Sequence, residues 1–119
     1  MMNYIMLLTS IGLAAVAQLL MKHGMRIIGV FPAREIFSRL FSIILNPFVF
    51  AGLFLFGISA VIWLIVLSRL ELSFVYPMVS IAYIIVAIAS FFFFGEKVTY
   101  IRWIGILTIC LGVFFISRS

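Results

Sequence analysis

The hydroxyl groups that could meet a ligand gather on one face of a single apolar stretch. With Tyr76 as the origin of a helical wheel, Ser73, Tyr76, Ser80, Tyr83, Ala87 and Ser90 fall within about a 100° arc at 3.6 residues per turn. Pro77 has no N–H, so it leaves the Ser73 carbonyl without its usual partner and is expected to kink the helix beside this track. On another stretch Gln18 and Lys22 lie one turn apart, with Ala14 and Ala15 above them. On a third, Trp63 shares a face with Gly52, Phe56, Ser59 and Ala60. Tyr76, Ser80 and Tyr83 are therefore candidates for the face of a substrate cleft, Gln18 and Lys22 for a second polar contact, with Lys22 suited to a phosphate, and Trp63 for binding beside them. Plainer readings stay open. Serine and tyrosine often bridge membrane helices, Trp63 can serve as packing, and Lys22 is placed to form a structural ion pair with Glu96.

Catalysis has little to work with. A nucleophile needs a base within hydrogen-bond reach, and the lone histidine, His23, stands at the edge of its helix. The three carboxylates, Glu35, Glu71 and Glu96, lie in or beside loops. No residues have metal-ligand spacing, and no glycine-rich loop opens a helix to hold a phosphate. The expectation is a protein that is not an enzyme and takes no metal or cofactor.

The elements that must position these residues follow from composition. Of 119 residues, 67% are apolar and 9% charged, and there is no aspartate. A soluble domain carries about a quarter charged residues, so this chain cannot cover itself with a water-compatible surface. Residues 1–21, 40–68, 72–95 and 103–117 are free of Asp, Glu, Lys and Arg. A helix crossing a bilayer needs roughly 20 apolar residues. The fold class expected is an all-α membrane protein, one domain over 1–119, with four transmembrane helices near 4–22, 47–67, 72–94 and 98–117. The first run, preceded by no cationic segment, is expected to remain as a span. Arg102, in the first turn of the fourth helix, is expected to reach the headgroups, with Tyr100 and Trp103 as interfacial anchors.

The first loop has a helical pattern of its own over 33–45. Ala33, Ile36, Phe37, Leu40, Phe41, Ile43 and Ile44 fill one side, and Arg34, Glu35, Ser38, Arg39 and Ser42 the other. A basic polar face over a large apolar one is what a helix lying in the membrane interface requires. Lys22, Arg26, Arg34, Arg39, Lys97 and Arg102 fall on one side of the membrane and only Arg69 and Arg118 on the other. The positive-inside rule then puts both termini outside the cytoplasm, in one fixed orientation. The net charge of +5 is spread over the loops without a patch, which excludes nucleic acid as a partner. Cys110 lies within the fourth run and is expected to behave as a small hydrophobe.

On the fourth helix Gly105, Thr108, Ile109 and Gly112 form a stripe where two backbones could approach closely, within the chain or between two chains. Four helices leave little room for a cavity in one copy, so a carrier of this size is expected to work as a dimer. Fixed orientation fits a parallel homodimer, or a heterodimer with a related small subunit.

Together, Leu20-Met21-Lys22, Trp63-Leu64, Tyr76 and Ser80 followed by Phe93-Phe94-Gly95, and Gly105 with Gly112-Val113 resemble the small multidrug resistance family of the drug/metabolite transporter superfamily. The resemblance implies that the last motif, Val113 included, is a dimer contact and that two chains enclose one chamber. The family's drug exporters carry a glutamate where this chain has Ala14 or Ala15, and a tryptophan where it has Val79. A closer similarity is to the lipid-handling branch, the ArnE/ArnF-type subunits of an undecaprenyl phosphate–aminoarabinose flippase. It rests on Gln18-Leu19-x-x-Lys22, Trp63-Leu64-x-Val66-Leu67, Tyr76-Pro77-Met78-x-Ser80, Glu96 and Arg102-Trp103. This resemblance implies a bacterial inner-membrane transporter that flips a polyprenyl-phosphate-linked sugar. Two other readings stand beside it, an exporter of small amines or metabolites and a structural subunit with no transport of its own.

Overall fold

Each apolar run closes its backbone hydrogen bonds within itself, as a bilayer demands. The computed structural model describes residues 1–119, a chain of helices without a strand. Helix α1 spans Met2–Ile28, a 3₁₀ turn Ala33–Glu35 leads into α2 at Ile36–Leu45, and α3 covers Pro47–Arg69. Helices α4, Leu72–Met78, and α5, Ser80–Phe93, together form the third span, and α6 runs over Tyr100–Ser117. Four segments are long and apolar enough to cross a membrane: α1, α3, α4 with α5, and α6.

The termini of these helices are set by local chemistry. Helix α1 continues well past Lys22, because a lysine favours a helix as much as leucine does. It stops at Gly29, whose positive φ of 88° suits a residue without Cβ and whose N–H reaches the Met25 carbonyl at 2.9 Å. Lys22, His23 and Arg26 are therefore helical, not loop, residues. Helix α3 begins at Asn46, whose Oδ1 accepts from the Phe48 and Val49 amides at 3.0 and 3.2 Å ahead of Pro47 in the first turn. Thr99 caps α6 in the same way, accepting from the Arg102 amide at 3.2 Å. The third span, expected as one helix, is broken at Val79. Two residues after Pro77 the Val79 amide turns to the Tyr76 carbonyl at 3.2 Å, and α5 starts afresh from Ser80.

Helices α1 and α3 pack most closely. Ala17 is fully buried in their seam, and Gly24 and Gly52 let the backbones approach. Two buried serines lock the seam. Ser59 Oγ donates to the Ser10 carbonyl at 2.7 Å, and Ser10 Oγ lies 2.9 Å from the Ser59 carbonyl and 3.1 Å from Ser59 Oγ. A second cluster, Leu7, Ile11, Ala15, Val66, Val75, Met78 and Ala82, joins α1 to α3, α4 and α5. Helix α6 buries no residue fully, but Trp103 meets Phe91 edge-on at 5.9 Å and Val113 and Ile116 pack against that cluster. The phenylalanines and leucines on the outer faces of the spans are exposed, the surface that acyl chains require.

The 33–45 segment is helical, with Glu35 and Arg39 paired at 3.0 Å and the Arg39 guanidinium 5.1 Å over Phe31. Ile43 is its one buried residue, while Phe37, Phe41 and Leu45 are exposed.

Candidate functional site

Helix α1 acts as a floor on which α3 and α5 stand apart as walls: α1 packs along both, and those two barely meet. The space between them is a cleft in two lobes that share Ala14, Phe56, Val79 and Ala82. The larger lobe, about 630 Å³, extends toward the cation-rich end of the bundle. Gln18 on the floor, Tyr83, Ala87 and Ser90 on α5, and then Glu96 and Arg102 line it. The smaller lobe, about 370 Å³, extends the other way past Ser10, Ser59, Ala60, Trp63 and Tyr76. Ala14 sits at the junction, and its small side chain is one reason the lobes connect.

Polarity along the cleft is graded. The smaller lobe offers the Tyr76 hydroxyl and two serines that already satisfy each other. The larger lobe offers the Tyr83 and Ser90 hydroxyls and the Gln18 amide. Formal charge appears only at its end, where Glu96 faces Lys22 at 3.9 Å and an Arg102 Nη donates to the Lys97 carbonyl at 3.4 Å. Arg26 stacks over Phe94 at 5.2 Å close by, and His23 meets Phe48 edge-on at 4.5 Å.

Of the residues singled out from the sequence, Gln18, Trp63, Tyr76 and Tyr83 line the cleft. Ser80 does not, and neither does Ser73. At 100° per residue they lie about 40° and 60° to one side of Tyr76, and the lining is centred on the other side. Val79 and Ala82 take the lining positions instead. Lys22 also falls outside the lining; it stands one turn beyond Gln18 and faces Glu96 from outside. Of the two alanines above Gln18, Ala14 faces the cleft and Ala15 is buried in the core.

On α6 the stripe divides. Gly105, Thr108 and Gly112 lie on the exposed outer face, Ile109 is half-buried, and Val113 turns inward against the core. An added Cβ at Gly105 or Gly112 meets nothing within 4 Å, and the Thr108 hydroxyl is spent on the Ile104 carbonyl at 2.8 Å. Val113 is separated from the stripe because it lies about 80° away from Gly105 at 100° per residue.

Two lining residues were missed by the sequence reading. Arg102 was expected to extend toward headgroups, and Glu96 was read only as a partner of Lys22. Arg102 lines the larger lobe because α6 turns that side inward, with Trp103 packed on Phe91 and Val113 and Ile116 on the core, and Glu96 reaches the lobe from the loop between α5 and α6. The available signal was their proximity in sequence, an acid and an arginine six positions apart around the short α5–α6 loop. Ser10, which the sequence reading passed over, bonds across the seam to Ser59.

Comparison with known proteins gives a consistent picture. Residues 1–118 match the EamA-like transporter family. A probable 4-amino-4-deoxy-L-arabinose-phosphoundecaprenol flippase subunit ArnF of Shewanella sediminis is 35% identical over 120 residues, covering 92% of this chain and 83% of the relative. A probable ArnE subunit of the same kind of flippase, from Pseudomonas savastanoi pv. phaseolicola, is 26% identical across 99% of both chains. An ArnE subunit of Yersinia pestis is 38% identical over 61 residues, about half of each chain. No solved structure matches. With four apolar spans around one cleft and a family match over nearly its whole length, the chain belongs to the EamA-like transporter family.

Proposed function

We propose that this chain is a subunit of a flippase that moves a polyprenyl-phosphate-linked amino sugar between the leaflets of the bacterial inner membrane. The observation that carries the reading is the cleft, mainly apolar with Gln18, Tyr76, Tyr83 and Ser90 spaced along it, flanked by lipid-facing helices and charged at one end alone. The polar head travels along it while the polyprenyl tail stays in the bilayer. Tyr83 and Tyr76 hydrogen-bond the sugar at successive depths, with Trp63 as the wall beyond. Gln18 and Arg102 meet the phosphate, and Lys22 stands behind Glu96 as a structural partner. Relatives named as flippase subunits support both the substrate class and a partner chain.

The remaining assignments follow from the same reading. The cation-rich end faces the cytoplasm and both termini lie outside. Helix α2 rests in the interface with Phe37 and Phe41 in the acyl layer. The outer stripe of α6, Gly105, Thr108 and Gly112 with Ile109 at its flank, is the dimer contact, to an identical chain or to a related small subunit. The protein performs no covalent chemistry. Glu35, Glu71 and Glu96 all lie outside the spans, so no acid at mid-depth couples transport to protons, and flux follows the lipid's own gradient.

The test is leaflet exchange of a fluorescent polyprenyl-phosphate amino sugar in reconstituted vesicles, with this chain alone and with its partner subunit. A neutral hydrogen bond is worth about 1 kcal/mol, roughly fivefold in rate. Tyr76→Phe and Tyr83→Phe should each slow exchange severalfold, and Ser80→Ala should leave it unchanged. Exchange no faster than in protein-free vesicles, with folding verified, refutes the proposal.

A further inference from the structure

The larger lobe ends in two opposite charges, neither of them saturated. Glu96 has Lys22 as its partner at 3.9 Å, the outer limit of an ion pair, and their side chains are 43% and 52% exposed. Arg102 makes one side-chain hydrogen bond, the long one of 3.4 Å to the Lys97 carbonyl. A guanidinium has five N–H donors in a planar fork suited to phosphate, so most of its capacity is free. Ser90 and Gln18 line the same lobe and add neutral donors and acceptors beside the charged pair. A lobe of about 630 Å³ has room for a phosphosugar head and is too small to contain a long isoprenoid tail as well. A purely anionic head would leave the Glu96 carboxylate facing like charge. A purely cationic head would leave Arg102 in the same position. A head carrying both charges satisfies both residues.

We propose that this end of the cleft selects a zwitterionic head, with Arg102 holding a phosphodiester and Glu96 accepting hydrogen bonds from a primary ammonium on the sugar. The inference rests on the flippase reading above and adds to it a basis for discrimination. An amino sugar is preferred to the same sugar with its nitrogen acylated, because only the ammonium exchanges charge-assisted hydrogen bonds with Glu96. Glu96 thereby acquires a role beyond pairing with Lys22. The loose geometry of that pair is what allows it, since the carboxylate can turn from Lys22 to the ligand without unpacking any buried residue.

The experiment is a tryptophan-fluorescence titration of the detergent-solubilised chain, with Trp103, next to Arg102, and Trp63, in the smaller lobe, as the reporters. Three short-chain prenol probes serve: the phospho-amino-pentose, its N-acetyl derivative, and the amino-pentose without phosphate. Hydrogen bonds to charged groups are worth enough to expect about tenfold tighter binding of the amino form than of the N-acetyl form. Glu96→Gln should bring those two within about twofold of each other. Arg102→Gln should weaken both phosphorylated probes about equally, and the phosphate-free probe should bind the wild type at least tenfold more weakly than the phospho-amino-pentose. Lys22→Ala should keep the preference for the amino form. Loss of the preference in Lys22→Ala as well would show that Glu96 acts only as the partner of Lys22, and would overturn the proposal. Equal affinity of the wild type for both phosphorylated probes overturns it too while leaving the flippase reading intact. Failure of both phosphorylated probes to bind overturns both readings. These side chains are exposed, so the variants should retain the gel-filtration profile of the wild type.

Discussion

Replacing Gly52 by alanine tests whether the α1–α3 seam holds the floor and wall of the cleft in place. The new Cβ would lie 2.6 Å from Met21 Cγ, 2.8 Å from the Ala17 carbonyl oxygen and 3.1 Å from the Met21 amide nitrogen. The methionine side chain can rotate away. The Ala17 carbonyl cannot, because it is fixed in the backbone of α1 and Ala17 itself is fully buried in the seam. A carbon approaches a carbonyl oxygen no closer than about 3.3 Å in ordinary contact, so the helices must part by roughly half an ångström. That parting lengthens the Ser10–Ser59 bonds, now 2.7 to 2.9 Å, and loosens Gly24 against Val49. Overpacking of this kind costs about 1–3 kcal/mol, offset by up to about 1 kcal/mol from the better helix propensity of alanine. With that offset taken in full the net loss should be about 0–2 kcal/mol. Gly57→Ala is the matched control: its Cβ meets nothing within 4 Å, so stability should hold or rise slightly. Equilibrium unfolding in mixed micelles measures both. Equal stability of the two variants would refute the close-approach argument.

Three more predictions concern the seam, the path and the orientation. Ser59→Ala removes the hydroxyl that donates to the Ser10 carbonyl, which keeps only its partner within α1, and should cost about 0.6 kcal/mol with an upper bound near 1.7; a double-mutant cycle with Ser10→Ala should return most of that as coupling. Ala14→Phe fills the junction of the two lobes and should slow leaflet exchange at least tenfold with no change in unfolding midpoint; undiminished exchange would mean the lobes are not one path. In a Cys110→Ala background, a cysteine at Ser119 should react with a membrane-impermeant maleimide in intact cells and one at Val30 should not. The reverse pattern, or reaction at both, would overturn the proposed orientation.

What could be read from the sequence was what depends on hydrophobicity and helical period. The class and the number of spans follow from composition, and the structure carries them. The end of α1 could not be read from charge alone. Lys22 looks like a boundary, yet the backbone has no reason to stop before Gly29. The polar face of the third span was centred on its hydroxyls. It held for Tyr76, Tyr83, Ala87 and Ser90 and failed at Ser73 and Ser80, at one edge of the arc, because the lining is centred toward Val79 and Ala82, whose small or apolar side chains gave no polar signal. The direction of Arg102 was beyond reach for another reason. Whether a residue in the first turn of a helix turns inward or toward headgroups depends on helix rotation, and that goes with contacts between different helices, Trp103 on Phe91 and Val113 and Ile116 on the core.

The distribution of polar groups bears on how such a path could carry a head at all. A charged residue at the bilayer centre costs about 2.5–3.5 kcal/mol on insertion scales, whereas a neutral hydroxyl or amide costs little once it has a partner. This chain keeps its ionic groups at the ends and places tyrosine, serine and glutamine along the cleft. A head bound between Arg102 and Glu96 gives up charge-assisted bonds when it moves inward, and receives neutral ones of about 1 kcal/mol each in return. On the flippase reading the mouth is therefore the deepest well, and the far end, lined by Trp63 and Tyr76, is shallow. Transport that has no proton to draw on must leave the deep well by thermal exchange. The half-exposed, weakly paired state of Glu96 and the single long bond of Arg102 keep that well open to water, which can replace the departing head and lower the cost of its release.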